Sequence, residues 1–542
     1  MNTDLGQSYR SMRATEGKFL RRIVFILSLL IAAGMACLLG KSRPIEEIPP
    51  ASRQTPTFPS VPPKQTTTLL PVSPPVSPTA TSLAQTSTPS RQAYYVANKD
   101  ANASDSNNGL YPDYRGGKDG PWATIQRAAE MMVAGDITYV RAGTYYENGI
   151  IFTNSGLQDK PITLANFEAE QVILDGSKSQ KGLPGIVISG NNGHYVIRGF
   201  TIRNMPDSGI ATDPETTTPY QNITILDCIL SDNSWSGIEL AAVDGFLIIN
   251  VESYRNAYYG INIGASKDGS LSSAHGVVKN SSFYDHTGKE GHGLAFNQTH
   301  DIVVSDSTAW HNRIHGFDVS DWPKKGDLSH NIVFERNTSY DNGVAGFSVN
   351  SDSHHIVYRN NIAWHNGADW AGRGSSSGFL CYEGCWHIEW YNNVSVENTD
   401  AGFWVADQPG LYGTPADSLL IFKNNITYNN GRPDWEIRFV LCVEGTPWQV
   451  IASNNNWGGA PSLNTPLVAI HLLGDIGETY TAEEINNGVF QEGNVSFDPK
   501  FIDIGASDFH LQPDSPMIDA GIDVGIPFCR AAPDLGASEV CP

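Results

Sequence analysis

The chain has 542 residues and a formal net charge of −22, with 35 Lys and Arg against 57 Asp and Glu. This acidic balance argues against the basic surface that phosphate backbones require, and we predict no nucleic-acid partner. Hydrophobic residues make up 40% of the chain and 52 residues are glycine, which suits a globular protein of many short strands.

The N-terminal end predicts export. Three basic residues precede an uncharged apolar stretch, residues 23–40, which is long enough to be a signal-anchor or a signal peptide. The basic flank predicts that residues 1–22 stay in the cytoplasm and that the rest is extracytoplasmic, at the cell surface or secreted. Cys37 raises a lipoprotein alternative, but the apolar residues after it favour a retained membrane anchor.

A linker and a short helix follow. Residues 41–92 are rich in Pro, Ser and Thr, a composition that cannot bury a core and predicts an extended stalk. The segment 121–135 places apolar residues on one helical face, between a proline and a glycine. We expect this helix to cap the N-terminal end of the domain that follows.

Two polar columns recur through the middle of the chain. The first has a period of 23 to 32 residues and consists of Asn233, Asn256, His286, Asn312, Asn342, Asn366, Asn398 and Asn430. The second closes a short apolar run in each repeat and consists of Asp227, Asn250, Asn280, Asp306, Arg336, Asn360, Asn392 and Asn424. Self-similarity at this period indicates a solenoid, and short β runs separated by turn residues indicate β coils.

The predicted fold is all-β. Residues 93–505 are expected to form a single-domain right-handed parallel β-helix of about eleven coils, with stacked Asn turns that satisfy one another. Residues 506–542 are expected to form a C-terminal tail that packs on it. The architecture resembles the pectin-lyase-like superfamily, and the resemblance extends from about Tyr94 to the C-terminus.

Alternation after a recurrent glycine predicts which residues face outward. Segments such as YGINI, HGLAF and HGFDV should send alternate side chains to opposite faces of a strand. The predicted outward column is Glu239, Asn262, Ala295, Asp318, Ser348 and Leu380, joined by Tyr259, His292 and His315 before the glycines. Because this face is polar up to Asp318 and apolar beyond Ser348, function is expected on the polar coils.

Residues 282–297 and 309–319 are similar to segments of family 9 pectate lyases. That resemblance implies β-elimination on uronic-acid chains and an acidic residue at Asp318. Two positions differ, because the family has Asp where this chain has His292 and a Lys base where it has Asn297. The similarity therefore supports kinship more than identical catalysis.

Two other β-helix chemistries fit less well. Residues 316–320 resemble the GFDPH motif of alginate C5-epimerases, but Val319 and Ser320 replace the Pro-His pair and remove the expected proton donor. The Gly291-His292-Gly293 element resembles polygalacturonase-type hydrolases, whose paired Asp residues are missing one coil earlier. An uronan C5-epimerase stays an alternative, and we expect no hydrolase.

β-Elimination requires a base for the proton α to the carboxylate and a group that stabilises the developing negative charge. The candidate catalytic residues are His315, Asp318, His292 and Lys325. The candidate substrate-binding residues are Tyr259, Asn262, Arg313, Trp322 and Lys324, with Trp310 and Trp370 as further aromatic surfaces. The candidate metal ligands are Glu239, Asp318 and Asp321, whose oxygen atoms suit Ca²⁺.

These residues predict an exported polysaccharide lyase, which we expect to be a monomer with polysaccharide as its partner. The alternative is a non-catalytic β-helix at the cell surface that binds glycans or serves as a spacer, because fold does not dictate function. Among the seven cysteines, Cys529 and Cys541 are placed to bridge the tail. For Cys381 and Cys385, burial as small apolar residues is favoured over pairing.

Overall fold

The computed structural model describes residues 92–179, 182–189, 193–321, 329–367, 376–382, 384–406, 419–431, 441–444, 449–458, 466–472 and 475–542. The predicted anchor, residues 23–40, and the stalk up to residue 91 lie outside these ranges. Within them, no helix has the length and apolar character needed to cross a membrane.

The described chain winds through three long sheets, to which each complete coil contributes one strand. The first sheet contains β1 (Ala93–Val96), β2 (Ile137–Val140), β5 (Ile162–Asn166), β8 (Gly193–Arg198), β11 (Tyr220–Leu226), β14 (Val243–Ile249), β17 (Ser273–Lys279), β20 (Thr299–Ser305), β23 (His330–Glu335), β26 (His354–Arg359), β29 (Trp386–Tyr391), β32 (Leu419–Lys423) and β35 (Gln449–Ser453). The second contains β3 (Gly143–Tyr145), β6 (Val172–Asp175), β9 (Phe200–Arg203), β12 (Ile229–Ser231), β15 (Glu252–Tyr254), β18 (Ser282–Tyr284), β21 (Thr308–Trp310), β24 (Thr338–Tyr340), β27 (Ile362–Trp364), β30 (Val394–Val396), β33 (Ile426–Tyr428) and β36 (Asn456–Trp457).

The third sheet lies on the remaining side of each coil. It contains β4 (Ile150–Ile151), β7 (Ile186–Ile188), β10 (Ile210–Thr212), β13 (Ile238–Ala241), β16 (Tyr259–Gly264), β19 (His292–Asn297), β22 (His315–Ser320), β25 (Ala345–Asn350), β28 (Phe379–Tyr382), β31 (Phe403–Ala406), β34 (Leu441–Glu444), β37 (Pro466–Leu472) and β38 (Asp475–Thr481). All pairings in the three sheets are parallel except that of β37 with β38, which is antiparallel. The protein is therefore an all-β parallel β-helix, as predicted.

The number of coils is close to the prediction. The three sheets have 13, 12 and 13 strands, and the third includes β38, which runs antiparallel and adds no coil. The 12 strands of the second sheet correspond to twelve coils in the described chain, against an expectation of about eleven.

The first asparagine column forms a continuous buried hydrogen-bonded ladder between the second and third sheets. The Asn312 amide donates to Asn342 Oδ1 at 2.9 Å, and the Asn342 amide donates to Asn366 Oδ1 at 2.9 Å. The same contact links Asn366 to Asn398 and Asn398 to Asn430. Because each side chain satisfies the next coil, the ladder allows polar turns to remain inside the stack.

The second column has the left-handed turn geometry expected of it, and its members bond between coils, as Asn250 does to Asp227 and Asn424 to Asn392. Its residues adopt left-handed backbone angles, with φ between 50° and 58° from Asn250 to Asn424. The residue after each of them points inward, and from Asn337 to Asn361 and Asn393 these inward side chains form a second buried ladder. The left-handed residue thus turns the chain so that its neighbour stacks.

Two short helices accompany the strands. Helix α1 (Ile125–Met131) buries Ile125, Ala128 and Ala129 in the main apolar core beside the first coils. Thr124 caps it, since the Thr124 hydroxyl accepts a hydrogen bond from the Arg127 backbone. Helix α2 (Ala482–Asn486) follows β38 and begins with a capping box formed by Thr481 and Glu484. A function of α1 as a cap stays a prediction.

The C-terminal residues pack on the outer face of the second sheet. They include a short antiparallel pair, β39 (Phe501–Asp503) and β40 (Asp508–Leu511), whose apolar side chains form a cluster with Val394, Val396 and Ile426. The second polar column contributes here, because the side-chain amides of Asn360, Asn392, Asn424 and Asn454 donate to backbone carbonyls of Ala537, Asp534, Ile522 and Ala520.

Two disulfides are present among the described cysteines. Cys529 pairs with Cys541 in the tail, as predicted. The preference for unpaired Cys381 and Cys385 is wrong, because these two buried cysteines form a disulfide with their Cα atoms 5.9 Å apart.

Candidate functional site

The strand register of the third sheet aligns the predicted outward residues in one column. Glu239 lies opposite Asn262, and Asn262 lies opposite Ala295. On the next strands, Ala295 is paired with Asp318, and Asp318 with Ser348. Their neighbours along each strand, including Ile261, Leu294 and Phe317, are fully buried in the core. The predicted alternation is therefore confirmed, and residues far apart in sequence share one wall of the β-helix.

Three rings and a carboxylate form a compact group on this wall. The ring centroids of Tyr259 and His292 are 5.4 Å apart, and those of His292 and His315 are 5.2 Å apart. His292 Nδ1 is 3.7 Å from Asp318 Oδ2. One ligating atom from each of His292, His315 and Asp318 lies within 4.8 Å of the others. We call these three residues the His-His-Asp cluster.

The His-His-Asp cluster is shielded from water. The exposed fractions of His292, His315 and Asp318 are 8%, 4% and 5%. An apolar group of Ile314, Val344, Ala345 and Leu380 packs beside it on the outer face. A low dielectric makes an unpaired charge costly and a paired one strong, so a charged group is stable at this position only beside an opposite charge or a hydrogen-bond partner.

Asn350 is a contributor that the sequence argument missed. Its side-chain amide donates to Asp318 Oδ1 at 3.3 Å, so the two carboxylate oxygens of Asp318 face different partners. The alternation in the sequence could have identified Asn350, because it follows outward-facing Ser348 by two residues on β25 and therefore points to the same face.

Glu239 lies at the other end of the polar column. It accepts hydrogen bonds from Ser236 Oγ and Asn262 Nδ2, both at 2.7 Å. Burial raises the pKa of Glu239 to about 7, although these hydrogen bonds act in the opposite direction. Glu239 and Asp318 are three strands apart, roughly 14 Å at ~4.8 Å per strand, so they do not share one ion.

Asn297 stands where the resemblance placed a lysine base. Its amide donates to Asn262 Oδ1 at 3.0 Å, and its own oxygen accepts from Ser320 Oγ at 2.6 Å. Asn297 is thus part of a hydrogen-bonded chain along the sheet. An amide in this position cannot accept a proton as a lysine amine does.

Asp321 is separate from the His-His-Asp cluster. It is fully buried, and its carboxylate accepts hydrogen bonds from the backbones of Gln298 and Ser329 and from the Ser353 hydroxyl. Burial raises the pKa of Asp321, and these hydrogen bonds oppose the shift. These hydrogen bonds occupy both of its oxygens, and Asp321 is not part of the group of possible ligands.

The remaining predicted residues fall in three places. Tyr259 and Asn262 lie on β16 beside the cluster, and burial raises the pKa of Tyr259 well above its ordinary value. Arg313 precedes β22 in a turn, where its backbone donates to the His286 carbonyl. Trp310 lies on the second sheet, stacked between Tyr284 and Tyr340, because β21 belongs to that sheet. Trp322, Lys324, Lys325 and Trp370 lie outside the described residues.

The donor atoms do not match the shell of Ca²⁺. That ion takes six to eight oxygen ligands. Within the described part of the chain, the cluster offers one carboxylate and two imidazole nitrogens. Glu239 and Asp321, the other expected carboxylate ligands, lie elsewhere, so the described residues supply too few oxygens for the predicted calcium site.

Comparison with known families finds one match. Residues 106–378, just over half of the chain, match the family described as Pel9A-like, right handed beta helix region. This span contains the three cluster residues, both asparagine columns up to Asn366 and helix α1.

Individual relatives are more distant. Pectate lyase L of Dickeya chrysanthemi is 22% identical over 479 residues, covering 83% of this chain and 91% of the enzyme. YwoF of Bacillus subtilis (strain 168), described as uncharacterized, is 30% identical over 148 residues, and the match spans only 29% of its length. The crystal structure of pectate lyase Pel9A aligns over 82% of this chain and 96% of its own, with 17% identity and a TM-score of 0.44.

Proposed function

This chain belongs to the Pel9A-like right-handed β-helix family, and from that premise we propose that it is a polysaccharide lyase that cleaves uronic-acid-containing glycan by β-elimination. The name of pectate lyase L, a relative along 91% of its length, supports polysaccharide as the substrate class. We also propose that the protein is exported and anchored through residues 23–40, since a polymer of this kind lies outside the cell.

The single observation that carries the proposal is the His-His-Asp cluster on the outer wall. In the proposed reaction a base removes the proton α to the uronate carboxylate. The electrons of that C–H bond form the new C=C bond, the bond to the glycosidic oxygen breaks, and that oxygen takes a proton. The base is one of His292, His315 or Lys325, and Asp318 Oδ2 lies 3.7 Å from His292 Nδ1, where its charge would stabilise the ring after it takes the proton.

The polar column has the length of a short oligosaccharide. The strands from Glu239 to Asp318 span roughly 14 Å at ~4.8 Å per strand. Asn262 and Tyr259 lie between them, where an amide and a partly buried ring would contact sugar hydroxyls and ring faces. Arg313, Trp322 and Lys324 are proposed to bind the same chain, with basic side chains offsetting the net charge of −22.

Unsaturated products provide the test. The purified protein is incubated with pectate, alginate and other uronans, with and without Ca²⁺, while near-ultraviolet absorbance is followed. We expect product from at least one polymer. His315→Ala and Asp318→Asn should each lower the rate by ~10²-fold or more without unfolding the protein. His311→Ala, which changes an exposed histidine, is the matched control and should retain full activity.

A binding module is the second candidate, favoured by Asn297 at the expected base position. Its hydrogen bonds with Asn262 and Ser320 show a side chain used for structure. Absence of product from every uronan, together with retained affinity for one of them, would replace the lyase proposal with this one. Changed uronate stereochemistry without cleavage would instead indicate a C5-epimerase.

A further inference from the structure

We propose that the His-His-Asp cluster binds one divalent transition-metal ion of the Zn²⁺ type instead of Ca²⁺. Two imidazole nitrogens and one carboxylate oxygen form a donor set suited to zinc and its neighbours among the first-row metals. Three protein ligands also leave a coordination position for a further ligand, as in metal sites that act on substrates.

The distances agree with this assignment. Metal–ligand bonds of about 2.0–2.2 Å in tetrahedral geometry place ligand atoms about 3.3–3.6 Å from one another. His292 Nδ1 and Asp318 Oδ2 are 3.7 Å apart, and a ligating atom of His315 lies within 4.8 Å of both. Separations of up to 4.8 Å exceed the tetrahedral range, so binding of an ion requires the side chains to draw closer, and strands β19 and β22 already hold them side by side.

The surroundings support a bound cation. Asn350 donates to Asp318 Oδ1 and leaves Oδ2 on the side of His292, which is the arrangement expected for a ligating carboxylate oriented by an outer partner. The cluster is also at most 8% exposed in any of its residues. In a site with little water, a bound divalent ion would offset the buried Asp318 charge.

A second group of histidines provides an internal comparison. On the outer face of the first sheet, the His300 and His330 rings stack at 4.9 Å and the His330 and His354 rings at 5.1 Å. These rings are nearly parallel, with interplanar angles of 12° and 15°, so their nitrogens lie side by side instead of converging. Within the described residues, only the His-His-Asp cluster brings three ligand residues to one point.

A bound ion would also limit which residue can be the base of the proposed reaction. Imidazoles that coordinate a metal cannot accept the α-proton at the same nitrogens, so the base of the proposed lyase would come from outside the cluster. Only this consequence rests on the proposed function, because metal binding itself is measured without any substrate.

Titration calorimetry on the full chain, freed of metal by a chelator, tests the site. Zn²⁺, Co²⁺ and Ca²⁺ are titrated in turn. We expect one tight ion per chain for Zn²⁺ and Co²⁺, visible absorption bands for bound Co²⁺, and weaker binding of Ca²⁺ by at least ~100-fold. His315→Ala and Asp318→Asn should weaken Zn²⁺ binding by more than ~100-fold, and Asn350→Ala by about 10-fold.

The control is the double substitution His330→Ala with His354→Ala, which should leave the tight site intact. Asn350→Ala keeps the test valid if a ligand variant fails to fold, since it leaves all three ligands in place. Equal affinity for Zn²⁺ in wild type and folded ligand variants, loss of the tight site in the double variant, or preference for Ca²⁺ would overturn the inference. Tight Zn²⁺ binding without any uronan product would refute the lyase and leave the metal site standing.

Discussion

Replacing His286 by asparagine should remove an acid-sensitive contact from the interior of the β-helix. His286 is the one imidazole in the first buried ladder, where the other seven positions are asparagine. Its Nδ1 accepts a hydrogen bond from the Asn256 backbone at 3.2 Å, and its Nε2 lies 3.1 Å from the Ser253 carbonyl. In the neutral ring one nitrogen accepts a hydrogen bond and the other donates one, as the oxygen and nitrogen of an asparagine amide do in the other coils.

Protonation would remove the acceptor that Asn256 uses. Complete burial accordingly lowers the pKa of His286 to about 4, below the ordinary value of about 6.5. Because the folded-state pKa is the lower one, the unfolded chain binds the proton first as the pH falls. The contribution to stability is intact above about pH 6.5 and is lost progressively between about pH 6.5 and 4.

The magnitude follows from this shift. When the pH is lowered from about 7.5 to 5, protonation of His286 in the unfolded chain should lower the free energy of unfolding by about 2 kcal/mol. In His286→Asn this part of the pH dependence should vanish. Stability near neutral pH should change by less than about 1.5 kcal/mol, since asparagine fits the other coils at this position.

Urea denaturation at the two pH values measures the difference directly. The free energy of unfolding of the wild type should fall on acidification through His286 and every other titrating group, and that of the variant should fall by about 2 kcal/mol less. Asn366→Ala, a change in the same ladder that involves no titratable group, should retain the wild-type pH dependence. A variant as acid-sensitive as the wild type would refute the assignment of this effect to His286.

Three further changes test other parts of the structure. Glu239→Gln should stabilise the fold by about 1–2 kcal/mol near pH 8 and by almost nothing near pH 4, measured by urea denaturation. Burial raises the pKa of Glu239 to about 7, so ionisation of this buried carboxyl lowers the free energy of unfolding as the pH rises. Asn366→Ala should lower the free energy of unfolding by about 3 kcal/mol, since its amide bonds to Asn342, Asn398 and the Ser339 carbonyl; an unchanged midpoint would contradict a structural ladder. Cys529→Ser with Cys541→Ser should cost about 2–3 kcal/mol in oxidising buffer and nothing after reduction.

The asparagine columns show why the fold was predictable from sequence. The buried polar groups at the turns of each coil need hydrogen-bond partners. Asparagine supplies them, and it therefore recurs at a regular spacing in the sequence. The same period of two residues along each strand then assigned Glu239, Asn262 and Asp318 to one face. Both predictions depend on local backbone geometry repeated in every coil.

Most of the unpredicted features depend on contacts between segments that share no repeat. Asp321 is the exception. It follows outward-facing Ser320, so the alternation itself directs it inward, where backbone groups of two coils converge on its carboxylate. Trp310 precedes the third sheet by only a few residues but belongs to the second, because a left-handed residue, His311, turns the chain between them. The docking of the tail on Asn360 and Asn424 joins residues far apart in sequence and leaves no periodic signal.

Position within the coil, more than residue type, decides what each histidine does. His286 and His292 are only six residues apart in one repeat. The first points inward among backbone groups, where burial keeps it neutral and both nitrogens are used for folding. The second points outward beside Asp318 and His315, on a wall whose polarity ends at the apolar group around Leu380. His286 belongs to the buried ladder that supports the wall, so a change there should lower the stability of the fold. His292 belongs to the outward cluster, so a change there should weaken ligand binding with little effect on the stability of the fold.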